Sequence, residues 1–217
     1  MTETTNRVLV AGGLILGLLG AIWLQNHGFP SATYWLELLV CAGMIFEFLS
    51  CLWSAPRDVM FNQKNLILFL CFLGLLVLDF ASIMTVGHRP MVMLMLLVIV
   101  CAADVGAWLF GRICGGDKLW EKVSEHKTWA GQIAGIICGA VCAILYGHLF
   151  LNPFTPQMVW VGIGIALLSQ YGDLTASFIK RRMKIKDFSN VLGNHGGIID
   201  RFDGWIYVLP VMWYVLM

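Results

Sequence analysis

Residues 91–114 read MVMLMLLVIVCAADVGAWLFGRIC, a run in which only Asp104 and Arg112 are charged. An α-helix rises about 1.5 Å per residue, so a run of this length can cross the roughly 30 Å hydrocarbon core of a bilayer. Similar apolar runs recur along the chain. The pattern predicts an all-α fold, a polytopic integral membrane protein in which several transmembrane helices make up most of the length.

The composition agrees with this prediction. Hydrophobic residues make up 59% of the 217 residues and charged residues only 12%, whereas soluble domains carry roughly a quarter charged residues. A single water-soluble core could not hide so much apolar surface, so much of the chain must be in contact with lipid. The composition therefore excludes an ordinary soluble domain.

Seven segments approach the length that a transmembrane helix needs. Asp200, Arg201 and Asp203 lie in the first third of the last segment, so we expect that helix to be short or tilted. We expect one continuous membrane domain, with N-terminal helices over 1–90 and a second region over 91–217 that contains two polar loops. The predicted spans are 8–24, 34–53, 65–86, 91–114, 132–151, 157–178 and 198–217.

The basic residues indicate an orientation. With seven spans, all of the 14 Lys and Arg residues except Arg89 fall on one side of the membrane. Basic loops stay in the cytoplasm during insertion, which predicts a cytoplasmic N-terminus. The segment Met1–Arg7 is too polar for a signal peptide, so we expect the first span to be retained.

Four acidic residues fall near the predicted cytoplasmic ends of the spans: Asp104, Asp173, Asp200 and Asp203. An ionised group at mid-helix costs about 2.5 to 3.5 kcal/mol to insert, so each needs a partner or a function. Asp200 and Asp203 are three residues apart and would share one helix face. Carboxylates in this arrangement are typical of Mg²⁺ sites, although acids that cap helices or pair with nearby cations would give the same pattern.

Three further acids lie inside predicted spans. Glu47 lies near the cytoplasmic end of the second span, and we interpret it as an interfacial acid. Glu37 and Asp79 fall in the outer half of the membrane, away from the other acids, and the sequence gives no role for either.

The loop after the fourth span combines glycines with hydrogen-bond donors. Gly111, Gly115 and Gly116 permit close backbone approach to a ligand. The same loop contains hydrogen-bond donors of the kind that hold phosphates. They are Arg112, Ser124, Lys127 and Thr128. A plain cytoplasmic loop could have the same composition, and no GxxxxGK[ST] motif is present to indicate a nucleotide-binding P-loop.

The second loop, residues 177–203, reads SFIKRRMKIKDFSNVLGNHGGIIDRFD. Its basic half could serve only as an anchor to anionic lipid, because each Lys or Arg near such a surface contributes about 1 kcal/mol. The glycines beside His195 and the acids that follow are more than an anchor requires. The loop places cations suited to phosphates and acids suited to a metal at the depth of lipid headgroups.

This loop resembles the signature of the phosphatidate cytidylyltransferase (CDP-diacylglycerol synthase) family. The segments 104–112, 124–131 and 172–174 also resemble that family, and the likeness covers about half of the chain. Ala130 and Ala176 stand where the family usually has Glu. The matching signature positions are Ser177, Lys180, Arg181, Lys186, Asp187, Ser189, His195, Gly196, Gly197, Asp200, Arg201 and Asp203.

The resemblance implies Mg²⁺-dependent transfer of CMP from CTP to phosphatidic acid at the cytoplasmic face of a bacterial inner membrane. It leaves room for a second cation, suggests a homodimer among membrane lipids, and implies no nucleic-acid partner. The implied catalytic residues are Asp173, Lys180, Arg181, Asp200 and Asp203, with the three acids as metal ligands. The implied substrate-binding residues are Asp104, Arg112, Ser124, Lys127, Thr128, Ser177, Lys186, Asp187, His195, Gly196, Gly197 and Arg201.

Two alternatives remain open from the sequence. Related membrane folds suggest, by analogy, a CTP-dependent lipid-alcohol kinase. A small transporter would also place acids in its spans, but transporters tend to show internal repeats around a midplane site, and no repeat is visible here.

Overall fold

The computed structural model describes residues 16–17, 19–24, 27–29, 31–60, 62–150, 156–193 and 196–216. Helical residues occur between positions 16 and 24. The remaining helices are α1 (Ala32–Ser54), α2 (Arg57–Met60), α3 (Gln63–Val86), α4 (Pro90–Cys114), α5 (Trp129–Phe150), α6 (Met158–Arg182), α7 (Ile199–Phe202) and α8 (Val208–Leu216). A 3₁₀ turn follows α7, and two short strands, β1 (Lys118–Trp120) and β2 (Ser124–Thr128), lie between α4 and α5.

Four of the described helices are long and apolar enough to cross a membrane. They are Ala32–Ser54, Gln63–Met84, Pro90–Cys114 and Trp129–Phe150. Only 22% to 39% of the most apolar stretch of each helix is buried inside the protein, so most of their apolar surface needs lipid. The predicted class, a polytopic helical membrane protein, is confirmed. The predicted count of seven spans is not reached within the described residues.

The other predicted spans differ in instructive ways. The first, 8–24, lies largely outside the described residues. The sixth corresponds to α6, whose polar Ser169 and Gln170 are 0% and 5% exposed, so its polar face points into the protein. The seventh is not the continuous helix that its length predicts. It divides into α7, the turn Asp203–Trp205 and the nine-residue α8, and nine helical residues extend only about 13.5 Å.

The chain forms two compact units. The first unit contains Met1–Pro90, Ile179–Phe202 and Leu209–Met217. The second contains Met91–Phe178 and Asp203–Val208, so the last turn of α6 belongs with the first unit.

An aromatic cluster lies in the core of the first unit. Phe48 of α1 meets Phe72 of α3 edge to face, with ring centroids 4.9 Å apart. Phe72 also stacks against Phe188 of the loop after α6 at 6.1 Å. Offset and edge-to-face pairs of this kind stabilise beyond their buried area. The cluster therefore fastens the loop to the membrane helices of this unit.

Small residues set the packing of the second unit. Gly131, Gly135 and Gly139 recur every four residues along one face of α5, and all three are buried. A Cβ at Gly135 would lie 2.7 Å from the carbonyl oxygen of Ala103 in α4, and one at Gly139 would lie 2.7 Å from Cβ of Ala166 in α6. Such stripes allow close approach of membrane helices. The stripe therefore brings α4 and α6 close to α5.

We predict that Phe72→Ala destabilises the protein by about 3 kcal/mol, because it removes a buried ring from two aromatic contacts and leaves a cavity. Denaturant-induced unfolding in detergent micelles measures this change. Phe46→Ala is the matched control, since Phe46 is 73% exposed on the same helix as Phe48 and makes no core contact to lose. Equal losses in the two variants would contradict the proposed role of the cluster.

Candidate active site

A β-hairpin in the second unit carries Lys127 to α6. Strands β1 and β2 pair antiparallel, with Lys118 opposite Thr128 and Trp120 opposite Ser124. The sequence predicted this segment only as a loop. The hairpin is held on the protein by Trp120, whose ring stacks on Phe178 at 5.6 Å. A paired ribbon fixes the position of Lys127 more closely than an open loop would.

Lys127 forms an ion pair with Asp173, with Nζ 2.6 Å from Oδ2. The two side chains are 24% and 37% exposed, but the Nζ atom itself is buried, so the ammonium group faces the carboxylate and not the solvent. Ser177 donates a long hydrogen bond of 3.4 Å to Oδ1 of the same carboxylate. The predicted residues Lys127, Asp173 and Ser177 are thus brought together.

Asp104 of α4 belongs to the same group. Its carboxyl group interacts electrostatically with both Lys127 and Asp173. We call Asp104, Lys127, Asp173 and Asp203 the hairpin cluster. Asp203 is included because its backbone packs on Gly172, the residue before Asp173. The cluster thus contains three carboxyl groups and one lysine.

Asp203 is placed by the close approach of its backbone to α6. A Cβ at Gly172 would overlap the carbonyl oxygen of Asp203, and a Cβ at Gly204 would lie 2.7 Å from the hydroxyl of Ser169. Only hydrogen atoms fit between the two segments at these points. The Oδ1 atom of Asp203 accepts a 2.9 Å hydrogen bond from the N–H of Gly204, which orients the carboxylate. This packing also explains why the predicted seventh helix breaks here.

Thr128 has a structural contact that its sequence position did not reveal. It is buried, and its hydroxyl accepts a 3.1 Å hydrogen bond from the N–H of Gly131. This is the N-cap interaction that satisfies a free donor in the first turn of α5. The predicted role of Thr128 in substrate binding stays a prediction.

The predicted loop of the first unit is organised around Asp200. Its Oδ1 atom accepts a 2.6 Å charged hydrogen bond from Lys180 Nζ. Its Oδ2 atom accepts two bonds of 2.9 Å, from the N–H groups of Phe188 and Gly197. The Asp200 side chain is only 5% exposed. Both oxygens therefore hold the loop together, and Lys180 is a partner of Asp200.

Glu47 holds the other side of this loop. It accepts hydrogen bonds from the hydroxyl of Ser189, from the N–H of Ile198 at 3.1 Å and from the N–H of Ile199 at 2.7 Å. We call Glu47, Lys180, Ser189 and Asp200 the loop cluster. The interpretation of Glu47 as an interfacial acid does not describe its environment, because the residue is only 4% exposed and its carboxylate is bonded to the loop. An acid within an apolar span was the signal in the sequence, but nothing there named its partners.

Gly196 and Gly197 fit the loop cluster by lacking side chains. Gly196 has a φ of 77°, in the left-handed region that favours glycine. A Cβ at Gly196 would lie 2.8 Å from Oδ2 of Asp200, and one at Gly197 would overlap the Glu47 carboxylate. These glycines allow both acids to reach the backbone of the loop.

The remaining predicted site residues lie at different places. Asp187 lies beside the loop cluster, because its Oδ1 atom would be 3.3 Å from a Cβ at Gly196. Arg112 lies in the last turn of α4, with its guanidinium 5.8 Å from the ring centre of Trp108. Ser124 lies on β2. His195 lies outside the described residues. Four further predicted residues are exposed: Arg181, Lys186, Asp187 and Arg201.

The three acids predicted as Mg²⁺ ligands, Asp173, Asp200 and Asp203, differ in their contacts. Within the described ranges, no group of three or more His, Cys, Asp or Glu side chains is arranged to hold a metal. Mg²⁺ commonly takes only one or two carboxylates and completes its shell with water and substrate phosphates. Asp173 and Asp203 both belong to the second unit, and their role as metal ligands stays a prediction. The oxygens of Asp200 already have three hydrogen-bond donors.

Comparison with known proteins gives the family. The Cytidylyltransferase family model matches residues 2–217 of this chain. The chain belongs to the cytidylyltransferase family. A phosphatidate cytidylyltransferase of Staphylococcus epidermidis is 30% identical over 98% of this chain and 83% of its own length. The chain is similar to that relative almost from end to end.

Other members of the cytidylyltransferase family match over a shorter region. The phosphatidate cytidylyltransferase of Staphylococcus haemolyticus is 40% identical over 119 residues, and that of Staphylococcus aureus strain COL is 39% identical over the same length. These matches cover 53% of this chain, which spans about 45% of the length of each of those relatives.

We predict that Gly172→Ala destabilises this cytidylyltransferase-family protein by about 1 to 3 kcal/mol, because a methyl group would push the Asp203 backbone away from α6. Gly164→Ala is the matched control on the same helix, since nothing lies within 4 Å of a Cβ there. Alanine is the better helix former by up to about 1 kcal/mol, so the control should be neutral or stabilised. Unfolding in detergent measures both, and a neutral Gly172→Ala would refute the close approach.

Proposed function

We propose that this protein is a phosphatidate cytidylyltransferase that converts CTP and phosphatidic acid to CDP-diacylglycerol and pyrophosphate. The observation that carries the proposal is the hairpin cluster, in which Lys127 pairs with Asp173 and interacts electrostatically with Asp104, in a helical membrane protein of the cytidylyltransferase family. The names of the relatives supply the reaction. The chemistry of the cluster suits it, because the reaction brings together a triphosphate, a lipid phosphate and a metal.

In this reaction a phosphate oxygen of phosphatidic acid attacks the α-phosphorus of CTP. The new bond joins that oxygen to the α-phosphorus, and the bond to the bridging oxygen breaks to release pyrophosphate. Such transfers depend mainly on positioning and charge neutralisation, with little covalent chemistry from the protein. The second pKa of a phosphate is close to 6, so the nucleophile needs no strong general base near neutral pH.

Each residue of the hairpin cluster has a proposed task. Lys127 donates hydrogen bonds to phosphate oxygens when its ion pair with Asp173 opens. Asp173 and Asp203 hold Mg²⁺, while Asp104 adds negative charge nearby. When bound, the metal neutralises the charge that develops on the phosphate oxygens. The proposal also allows a second cation to bind at this cluster.

For Asp200 and Lys180, the contacts favour a different task from the one that the resemblance implies. Both oxygens of Asp200 are engaged, and Lys180 is one of the groups that engage them. We propose that this pair stabilises the conformation of the signature loop, which is the segment 177–203 that resembles the family signature. The exposed Arg181 and Arg201 stay candidates for phosphate contacts in that loop.

We further propose that the site faces the cytoplasm from a bacterial inner membrane, as the distribution of basic residues supports. Reporter fusions to the hairpin turn at 121–123 test this orientation. A cytoplasmic reporter such as a fluorescent protein should be active there, and a periplasmic reporter such as alkaline phosphatase should be inactive. The opposite pattern would refute the orientation.

The position of a radioactive phosphate in CTP tests the reaction. The purified protein, given phosphatidic acid and Mg²⁺, should move label from the α position of CTP into lipid and release β and γ label as pyrophosphate. Transfer of γ label to a lipid alcohol would instead indicate a kinase. No transfer of either label would refute the proposed function. Chelation of Mg²⁺ should abolish the transfer, and added Mg²⁺ should restore it.

We predict that Asp203→Asn and Asp173→Asn each lower kcat by about 10²- to 10³-fold, the usual cost of losing one group that stabilises developing charge. Asp58→Asn is the matched control, because Asp58 is an exposed acid that pairs with Lys184 outside both clusters. Its kcat should stay within about twofold of wild type, as expected for a surface ion pair. Full turnover in both cluster variants would refute the metal assignment.

A further inference from the structure

Glu47 is a membrane-helix carboxylate whose neighbours are unlike those of an interfacial acid. It lies on α1, which is one of the four helices able to cross a membrane, and it is 4% exposed. Within the described residues, no cation lies within 4.0 Å of its carboxylate to form an ion pair. Its charge is instead satisfied by hydrogen-bond donors, as a buried charge requires.

Those donors all belong to the loop and the short helix that follow α6. The hydroxyl of Ser189 comes from the middle of the loop, and the N–H groups of Ile198 and Ile199 come from its end and from the start of α7. The partners are 142 to 152 residues away from Glu47 in the sequence. One carboxylate therefore joins the middle and the end of a loop to a helix that is remote along the chain.

The surface of α1 is shaped to receive this loop. Gly43 lies one helical turn before Glu47 on the same face. A Cβ at Gly43 would lie 2.8 Å from Cδ1 of Ile198, and one at Gly197 would overlap the Glu47 carboxylate. The thiol of Cys51, a further turn along, donates a hydrogen bond to the carbonyl oxygen of Phe188 at 2.6 Å. The loop is seated along three successive turns of one helix face.

We propose that Glu47 is a positioning residue for cytidylyl transfer, which holds the signature loop so that the acids after it are correctly placed. Ile199, which Glu47 binds, begins α7; Asp200 is the next residue, and Asp203 follows directly after the helix ends. Movement of Ile199 would therefore move the segment that carries both acids. This role rests on the function proposed above, whereas the contacts themselves do not.

Glu47→Gln tests the proposal with little change in volume. A glutamine keeps one acceptor oxygen but places an NH₂ group beside N–H donors, so at least one of the three hydrogen bonds is lost. We expect kcat, measured per folded molecule at saturating CTP and phosphatidic acid, to fall at least tenfold, since small misplacements can cost up to about 10² in rate. Glu37→Gln is the matched control on the same helix and should keep wild-type kcat.

Hydrogen–deuterium exchange provides a readout that needs no activity. In full-length protein, Glu47→Gln should increase exchange of the amides of 197–199, whereas Glu37→Gln should leave it unchanged. Unchanged exchange in Glu47→Gln would overturn the proposal. If the wild-type protein shows no cytidylyl transfer while Glu47→Gln still increases amide exchange in the loop, the proposed function is refuted. The contacts of Glu47 with the loop are then still supported.

Ser189→Ala keeps the proposal falsifiable if Glu47→Gln does not fold. It removes one donor and leaves the two backbone bonds, so it should fold, loosen the middle of the loop and lower kcat by about two- to fivefold. Groups that act through one contact are not additive. If both variants fold, their combination should therefore lower kcat little further than Glu47→Gln alone. Ser189→Ala with wild-type exchange and wild-type kcat would overturn the role of this contact. A merely structural Glu47 would lower the yield of folded protein without lowering kcat per folded molecule.

Discussion

Two buried acids of the first unit, Glu47 and Asp200, have carboxylates surrounded by hydrogen-bond donors, and these contacts organise the loop after α6. Water is not there to solvate the charge, so the protein must supply cations or N–H and O–H groups of its own. Asp200 collects a lysine and two backbone amides, and Glu47 collects a hydroxyl and two backbone amides. Hydrogen bonds to these two carboxylates therefore hold the loop after α6 in its conformation.

Glycine makes this arrangement possible. Backbone amides can point at a carboxylate only if no side chain stands between them, and Gly196 and Gly197 meet that condition for Asp200 and Glu47. In the second unit, Gly172 and Gly204 do the same for the approach of the Asp203 backbone to α6. In both units a glycine therefore lies where an acid must be brought against another segment.

The sequence predicts what depends on local pattern and fails where distant segments meet. Long apolar runs identify α1, α3, α4 and α5, and the signature residues identify the family. The hairpin was missed because strands of three and five residues carry little periodicity. The break after α7 was missed because it depends on contacts of Asp203 and Gly204 with α6. Glu47 was underestimated because its partners lie 142 to 152 residues away.

In the proposed reaction, the ion pair between Lys127 and Asp173 would link the binding of two kinds of ligand. An anion that takes Lys127 leaves Asp173 without its countercharge, which raises the affinity of that carboxylate for a cation. A cation on Asp173 likewise frees Lys127 for an anion. Because such thermodynamic coupling is reciprocal, each ligand strengthens the other by the same factor. A single salt bridge is thus enough to make the two binding events cooperative.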